Sequence, residues 1–164
     1  MYVKDYLRSQ DVWFESLLHR PASSATQLAS STHVPGRGVA KTVLVRAGER
    51  FVLAVLPATA RINLARLSSE LGISAPQLRL ASPDEIIQTI GDCEPGVIPP
   101  FGQLYDLQTI VDERLADNAM IVFGANLRHE GMRMRFSDYE ALEEPMRASF
   151  ADPVVSRRTE QTAP

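Results

Sequence analysis

Ten residues constrain this chain more than any others. Cys93-Glu94-Pro95-Gly96-Val97-Ile98-Pro99-Pro100-Phe101-Gly102 holds three prolines and two glycines, with apolar Val97, Ile98 and Phe101 among them. Proline fixes φ and removes a backbone donor, while glycine lets a backbone come close to a ligand. A loop that only turns has little use for so much apolar surface. Two readings follow from the segment alone. It is a rigid, buried connector, or the N–H groups of Gly96, Val97 and Ile98 converge on one spot as an oxyanion-binding nest.

The flanking sequence says what such a loop is mounted on. Residues 2–10 have helical spacing, and Val12–Leu18 reads as a strand closed by His19-Arg20-Pro21. Ser23 or Ser24 can cap a helix carrying Ala25, Leu28 and Ala29 on one side. Val39–Ala47 and Phe51–Leu56 are β-branched or apolar runs split by Gly48-Glu49-Arg50, a hairpin signal. Thr59 is a candidate cap for a helix with Leu64, Leu67 and Leu71 on one face, stopped by Gly72. Ser82-Pro83-Asp84-Glu85 is a capping box with proline at the first helical position. Beyond the loop, Gln108–Val111, Ala119–Phe123 and Gly131–Phe136 read as strands, and Ser137-Asp138-Tyr139-Glu140 as a second capping box. From Ala151 the chain is polar and aperiodic, which predicts a disordered tail over 151–164 behind a single domain at 1–150. Strands and helices interleave without strict βαβ alternation, so the expected class is α+β: a mixed sheet with helices packed around it.

Composition removes several functions. A chain of 164 residues, 45% of them apolar, can bury one core. One cysteine allows no intrachain disulfide, and no apolar run is long enough to span a bilayer. The amphipathic N-terminus is not a secretory signal, so the chain reads as cytoplasmic, with no membrane partner. A net charge of −3 argues against broad nucleic-acid binding but not against a site that grips the end of an RNA.

Few residues offer chemistry. Lys41 shares a strand face with Val43 and Val45, which places an ammonium at the mouth of an apolar pocket if that face is the core face. The plain alternative is a strand lysine reaching to solvent. His19, His33 and His129 lack zinc-ligand spacing, so no metal is expected. Cys93 has no adjacent base and reads as a structural thiol. No G-x-S-x-G elbow, P-loop or dinucleotide fingerprint is present.

Taken in order, VAKTVLVR, FVLAVLPATARINLARLSSELG, LASPDEI, GDCEPGVIPPFGQLYDLQTIVDERL and GAN with a following histidine resemble the YbaK/prolyl-tRNA synthetase editing-domain family. The resemblance covers residues 2–145. It implies a curved, open-barrel-like mixed sheet, no cofactor, and hydrolysis of mischarged aminoacyl-tRNA. Lys41 matches the family's functional lysine. Gly96-Val97-Ile98-Pro99-Pro100 matches its G-x-x-x-P loop, which holds the aminoacyl group and the tRNA end. His129 resembles the histidine after G-A-N, though the gap from Asn126 is shorter here. The catalytic set so implied is Lys41, Gly96 and His129, with Val97, Ile98, Pro99, Pro100 and Val43 binding substrate. The implied partners are the acceptor end of aminoacyl-tRNA, with prolyl-tRNA synthetase or an elongation factor alongside. Without a synthetase domain, the expected enzyme acts in trans, on tRNA for proline or a neighbouring specificity. A non-catalytic module using the same pocket to hold an aminoacyl or nucleotide ligand is the alternative.

Overall fold

The computed structural model describes residues 1–154. Helix α1 (Val3–Ser9), strand β1 (Phe14–Leu18) and helix α2 (Ala25–Thr32) lead into the hairpin β2 (Ala40–Ala47) and β3 (Arg50–Pro57). Then follow β4 (Ala60–Ile62), α3 (Leu64–Leu71), β5 (Leu78–Leu80) and α4 (Pro83–Thr89). After the proline-rich loop come β6 (Gln108–Asp112), α5 (Glu113–Ala116), β7 (Met120–Ala125) and β8 (Leu127–Arg135). Helix α6 (Phe136–Glu143) and the short strands β9 (Met146–Ala148) and β10 (Ala151–Pro153) complete the order. The α+β class holds, as three sheets rather than one: β5-β2-β3-β6-β9, β1-β8-β7 and β10-β4. The largest is mixed, because β6 joins β3 and β9 in parallel while β2 pairs antiparallel with β3 and β5. No sheet closes into a barrel among the described residues.

The hairpin supplies the frame. Ala47 and Arg50 are register partners, so Gly48-Glu49 is a two-residue turn. Alternation along β2 sends Val45 and Ala47 to one core with Leu56, Leu67 and Phe150, and Ala40 to another with Phe101, Phe123 and Tyr139. In that second core, Phe101 meets Tyr6, Phe123 and Tyr139 edge-on, with ring centroids 5.2–5.8 Å apart. Edge-to-face geometry suits the ring quadrupoles and adds to simple burial.

Local signals held where the partner lies nearby in sequence. Ser82 and Glu85 close the capping box on α4, and Ser24 rather than Ser23 caps α2. Two expectations fail. Asn63, not Thr59, caps α3, because residues 60–62 are taken up by β4, which pairs with β10. Ser137 does not cap α6: strand β8 runs directly into the helix, and the N–H of Phe136 donates to Ala119 O at 2.9 Å. The tail expectation also fails at its start. Ala151 is fully buried, and both its N–H and that of Phe150 donate to Asp112 Oδ2 at 2.9 Å. The remainder of the expected tail, 155–164, lies outside the described residues.

Candidate functional site

The proline-rich loop divides in two. Its C-terminal half is a mount. Pro99, Pro100 and Phe101 are buried, and Tyr139 OH donates to Pro100 O at 2.9 Å. Gly102 N–H donates to Thr109 Oγ1 at 3.0 Å, and that hydroxyl donates to Glu143 Oε1 at 2.6 Å. Gln103 N–H reaches the same carboxylate oxygen at 3.2 Å. Burial pushes the Glu143 carboxyl up to about 7, against these hydrogen bonds, which favour the charged form.

The other half presents backbone. Glu94 N–H donates to Asn126 O at 2.8 Å, and Asn126 Nδ2 reaches Asp92, Cys93 Sγ and Tyr105 OH at 3.3 Å, fixing where the loop departs. Gly96 follows with φ +83°. A Cβ built there would stand 1.8 Å from Ser23 O, so the loop lies against the backbone leading into α2 and only glycine fits. Val97 packs its side chain on Gly124, where an added Cβ would meet it at 3.1 Å. The Val97 N–H turns inward to Glu94 O at 3.3 Å. Among the described residues the N–H groups of Gly96 and Ile98 meet no acceptor, so the expected triple nest has two free donors, not three.

These elements enclose a cavity of about 230 Å³. Ser23, Ser24, Ala25 and Leu28 of α2 and its approach form one side, Ala40, Lys41 and Thr42 of β2 another, and Gly96–Ile98 with Gly124 the rest. A larger apolar cavity of about 460 Å³ lies next to it, sharing Thr42, Gly96 and Ile98 and floored by Leu44, Ile86 and Ile90. Lys41 also borders a third cavity, of about 220 Å³, with Val43 and Arg61. Its ammonium donates to Ala60 O at 3.1 Å. Burial, and after it the charge of Arg61, lower the Lys41 pKa from its ordinary value.

Of the residues expected from sequence, Lys41, Gly96, Val97 and Ile98 are thus brought together around one space. Val43 faces the neighbouring cavities instead. Pro99 and Pro100 stand behind the loop and line none of these cavities. His129 is exposed on β8, where its carbonyl accepts from His19 N–H at 3.0 Å, and it does not line the cavity. Cys93 is held by Asp92, Tyr105 and Asn126, and burial pushes its thiol up to about 11, the wrong direction for a nucleophile. Among the described residues no group of three His, Cys, Asp or Glu side chains is placed to hold a metal ion. No described helix is long and apolar enough to cross a membrane. Sequence reasoning missed Ser23, Ser24 and Thr42 as lining residues, and Arg61 altogether.

Residues 19–142 match the family model of the aminoacyl-tRNA editing domain, and the chain belongs to that family. It is similar to the proline–tRNA ligase of Trichlorobacter lovleyi, 29% identical over 111 residues, which is 66% of this chain but 19% of that one. The chain therefore spans about a fifth of the ligase's length. Among solved structures it superposes on hypothetical protein APE2540 with a TM-score of 0.82 at 17% identity, covering 92% of this chain and 99% of that one. A candidate trans-editing enzyme for prolyl tRNA synthetase superposes with a TM-score of 0.76 at 19% identity, covering 92% and 94%. At those identities the likeness defines the fold and no more.

Proposed function

We propose that this protein hydrolyses the ester bond of mischarged aminoacyl-tRNA, acting in trans on tRNA for proline or a neighbouring specificity. The observation that carries the reading is the small cavity in which Lys41 stands near two unclaimed backbone donors, the N–H groups of Gly96 and Ile98. An aminoacyl ester is already activated, so its hydrolysis needs no nucleophile–base pair. Water adds to the carbonyl carbon, the loop donors hold the developing oxyanion, and the bond to the ribose oxygen breaks to release amino acid and a ribose hydroxyl. One well-placed donor of this kind is worth roughly 3–4 kcal/mol in other acyl-transfer sites. A hydroxyl of the terminal ribose helps to position the water, in keeping with the absence of a strong base among the lining residues. Ala40, Leu28, Val97 and Gly124 leave room for a small side chain and would exclude larger ones by overlap.

The test is a deacylation panel. Purified protein is offered tRNA charged with alanine, cysteine, serine, threonine and proline. The expected result is turnover of one or more small, wrongly attached amino acids with correctly charged prolyl-tRNA spared. Binding of aminoacyl-tRNA without turnover of any would make the chain a non-catalytic module.

A further inference from the structure

Lys41 has a neighbour that no motif marks. Its ammonium is tied to Ala60 O, and the next residue along β4 is Arg61. Both cations line the third cavity, about 220 Å³, whose walls are otherwise Val43, Ile62, Leu64 and Leu80. Among the described residues neither has a carboxylate within ion-pair distance. The acid best placed by register is Asp152, opposite Arg61 across β4 and β10. Its two oxygens are already taken, by Arg66 at 2.8 Å and Asn63 at 2.9 Å. The half-buried Lys41 ammonium gives up hydration and feels the charge of the exposed Arg61, and an arriving anion relieves both costs.

We propose that Arg61 and Lys41 form a phosphate site, in which Arg61 grips a phosphate of the nucleotide that carries the acyl group. This rests on the deacylase reading above, and it adds a binding residue on a second strand. The geometry suits the ligand. Lys41 borders both this cavity and the one beside the loop, so a phosphate held here is adjacent to the acyl position. The ammonium has two N–H groups left after Ala60 O, and the arginine fork offers paired donors to phosphate oxygens. The rest of the cavity is apolar, which fits one phosphate attached to a nucleoside better than a run of phosphates. Lys41 is then a binding group rather than a source or sink of protons.

The test uses adenosine monophosphate and adenosine as probes, titrated against the wild type and Arg61→Gln. The wild type should bind the monophosphate at least about tenfold more tightly than the nucleoside, as a charge-assisted pair implies, and Arg61→Gln should bring that ratio close to one. On mischarged tRNA, Arg61→Gln should raise KM about tenfold and flatten the dependence of log(kcat/KM) on log salt by about 0.7, one phosphate contact on a single strand. Arg50→Gln, on the β2–β3 hairpin, should change neither. Equal binding of the two probes by the wild type overturns the site. So does a monophosphate preference that survives Arg61→Gln, or a salt slope that Arg50→Gln flattens equally. A wild type that prefers the monophosphate through Arg61 yet hydrolyses no aminoacyl-tRNA leaves the phosphate site standing and removes the deacylase reading instead.

Discussion

The two halves of one loop make the useful comparison in this molecule. Residues 99–102 are buried, and the polar groups of Pro100, Gly102 and Gln103 are claimed by Tyr139, Thr109 and Glu143. Residues 94–98 are claimed only at the start, by Asn126, and then leave the N–H groups of Gly96 and Ile98 unpaired beside a cavity. Gly96 is exposed and Ile98 half-buried, so neither N–H is claimed within the described chain, and both residues line the cavity that Lys41 also lines. A loop that must aim donors at a reacting atom needs a part that does not move, and here the prolines and the aromatic cluster provide it. The double proline is buried in the mount and lines none of the three cavities.

Breaking the presenting half should cost the most. Gly96→Val brings a branched side chain onto Ser23 O at a positive φ and displaces both donors. We expect a loss of about 1,000-fold in deacylation rate, the upper end for removal of oxyanion donors. The helical and strand signal in circular dichroism should hardly change. A rate within tenfold of wild type would mean the loop backbone does not touch the reaction.

The mount should respond to pH instead. The folded-state pKa of Glu143 is about 7, above the ordinary 4.5 that it regains on unfolding. Below 4.5 the carboxyl is protonated in both states. As pH rises from 4.5 to 7 the unfolded chain releases its proton and the folded one does not, so stability falls and then levels off. Glu143→Gln keeps an acceptor for Thr109 and Gln103 and removes the ionisation. Denaturant titrations from pH 4.5 to 8 should show the decline vanish, a gain of roughly 2–3 kcal/mol at pH 8 relative to the wild type's own change. An unchanged slope would place the titrating group elsewhere.

A smaller effect separates support from presentation. Tyr139→Phe deletes one buried hydrogen bond to Pro100 O and should cost about 1 kcal/mol of stability, read from the shift in denaturation midpoint. Its deacylation rate should stay within about threefold, less than a tenth of the effect of a lost oxyanion donor. Val97→Ala is gentler still on rate, because the backbone stays. Opening space against Gly124 should show instead as faster removal of amino acids one or two carbons larger, measured as a ratio of kcat/KM.

What the sequence disclosed follows the range of each interaction. The α4 capping box and the hairpin turn are closed by neighbours a few residues apart, and both were legible. Lys41 and Gly96 were singled out by strand alternation, by loop composition and by the resemblance, and the structure brings the two around one cavity. The failures are all at long range. Thr59 lost its cap to a strand that pairs with residues 151–153, and the supposed start of the tail is pinned by Asp112, about forty positions earlier. Ser137 gave a good local signal but lost to the backbone bond that Phe136 N–H donates to Ala119 O, which only the β7–β8 pairing brings into place. His129 matched a motif, and strand β8 carries it to an exposed position that does not line the cavity. Arg61 was invisible because its meaning depends on Lys41, twenty residues away on another strand.

The division of the loop can be measured amide by amide. Hydrogen exchange followed by NMR, with and without a non-hydrolysable 3′-aminoacylamino-adenosine, reports on both halves in one experiment. Gly102 and Gln103 should be protected throughout, while Gly96 and Ile98 exchange freely and slow only when the analogue is bound. If the analogue binds and Gly96 and Ile98 continue to exchange as before, the loop does not donate to the acyl group.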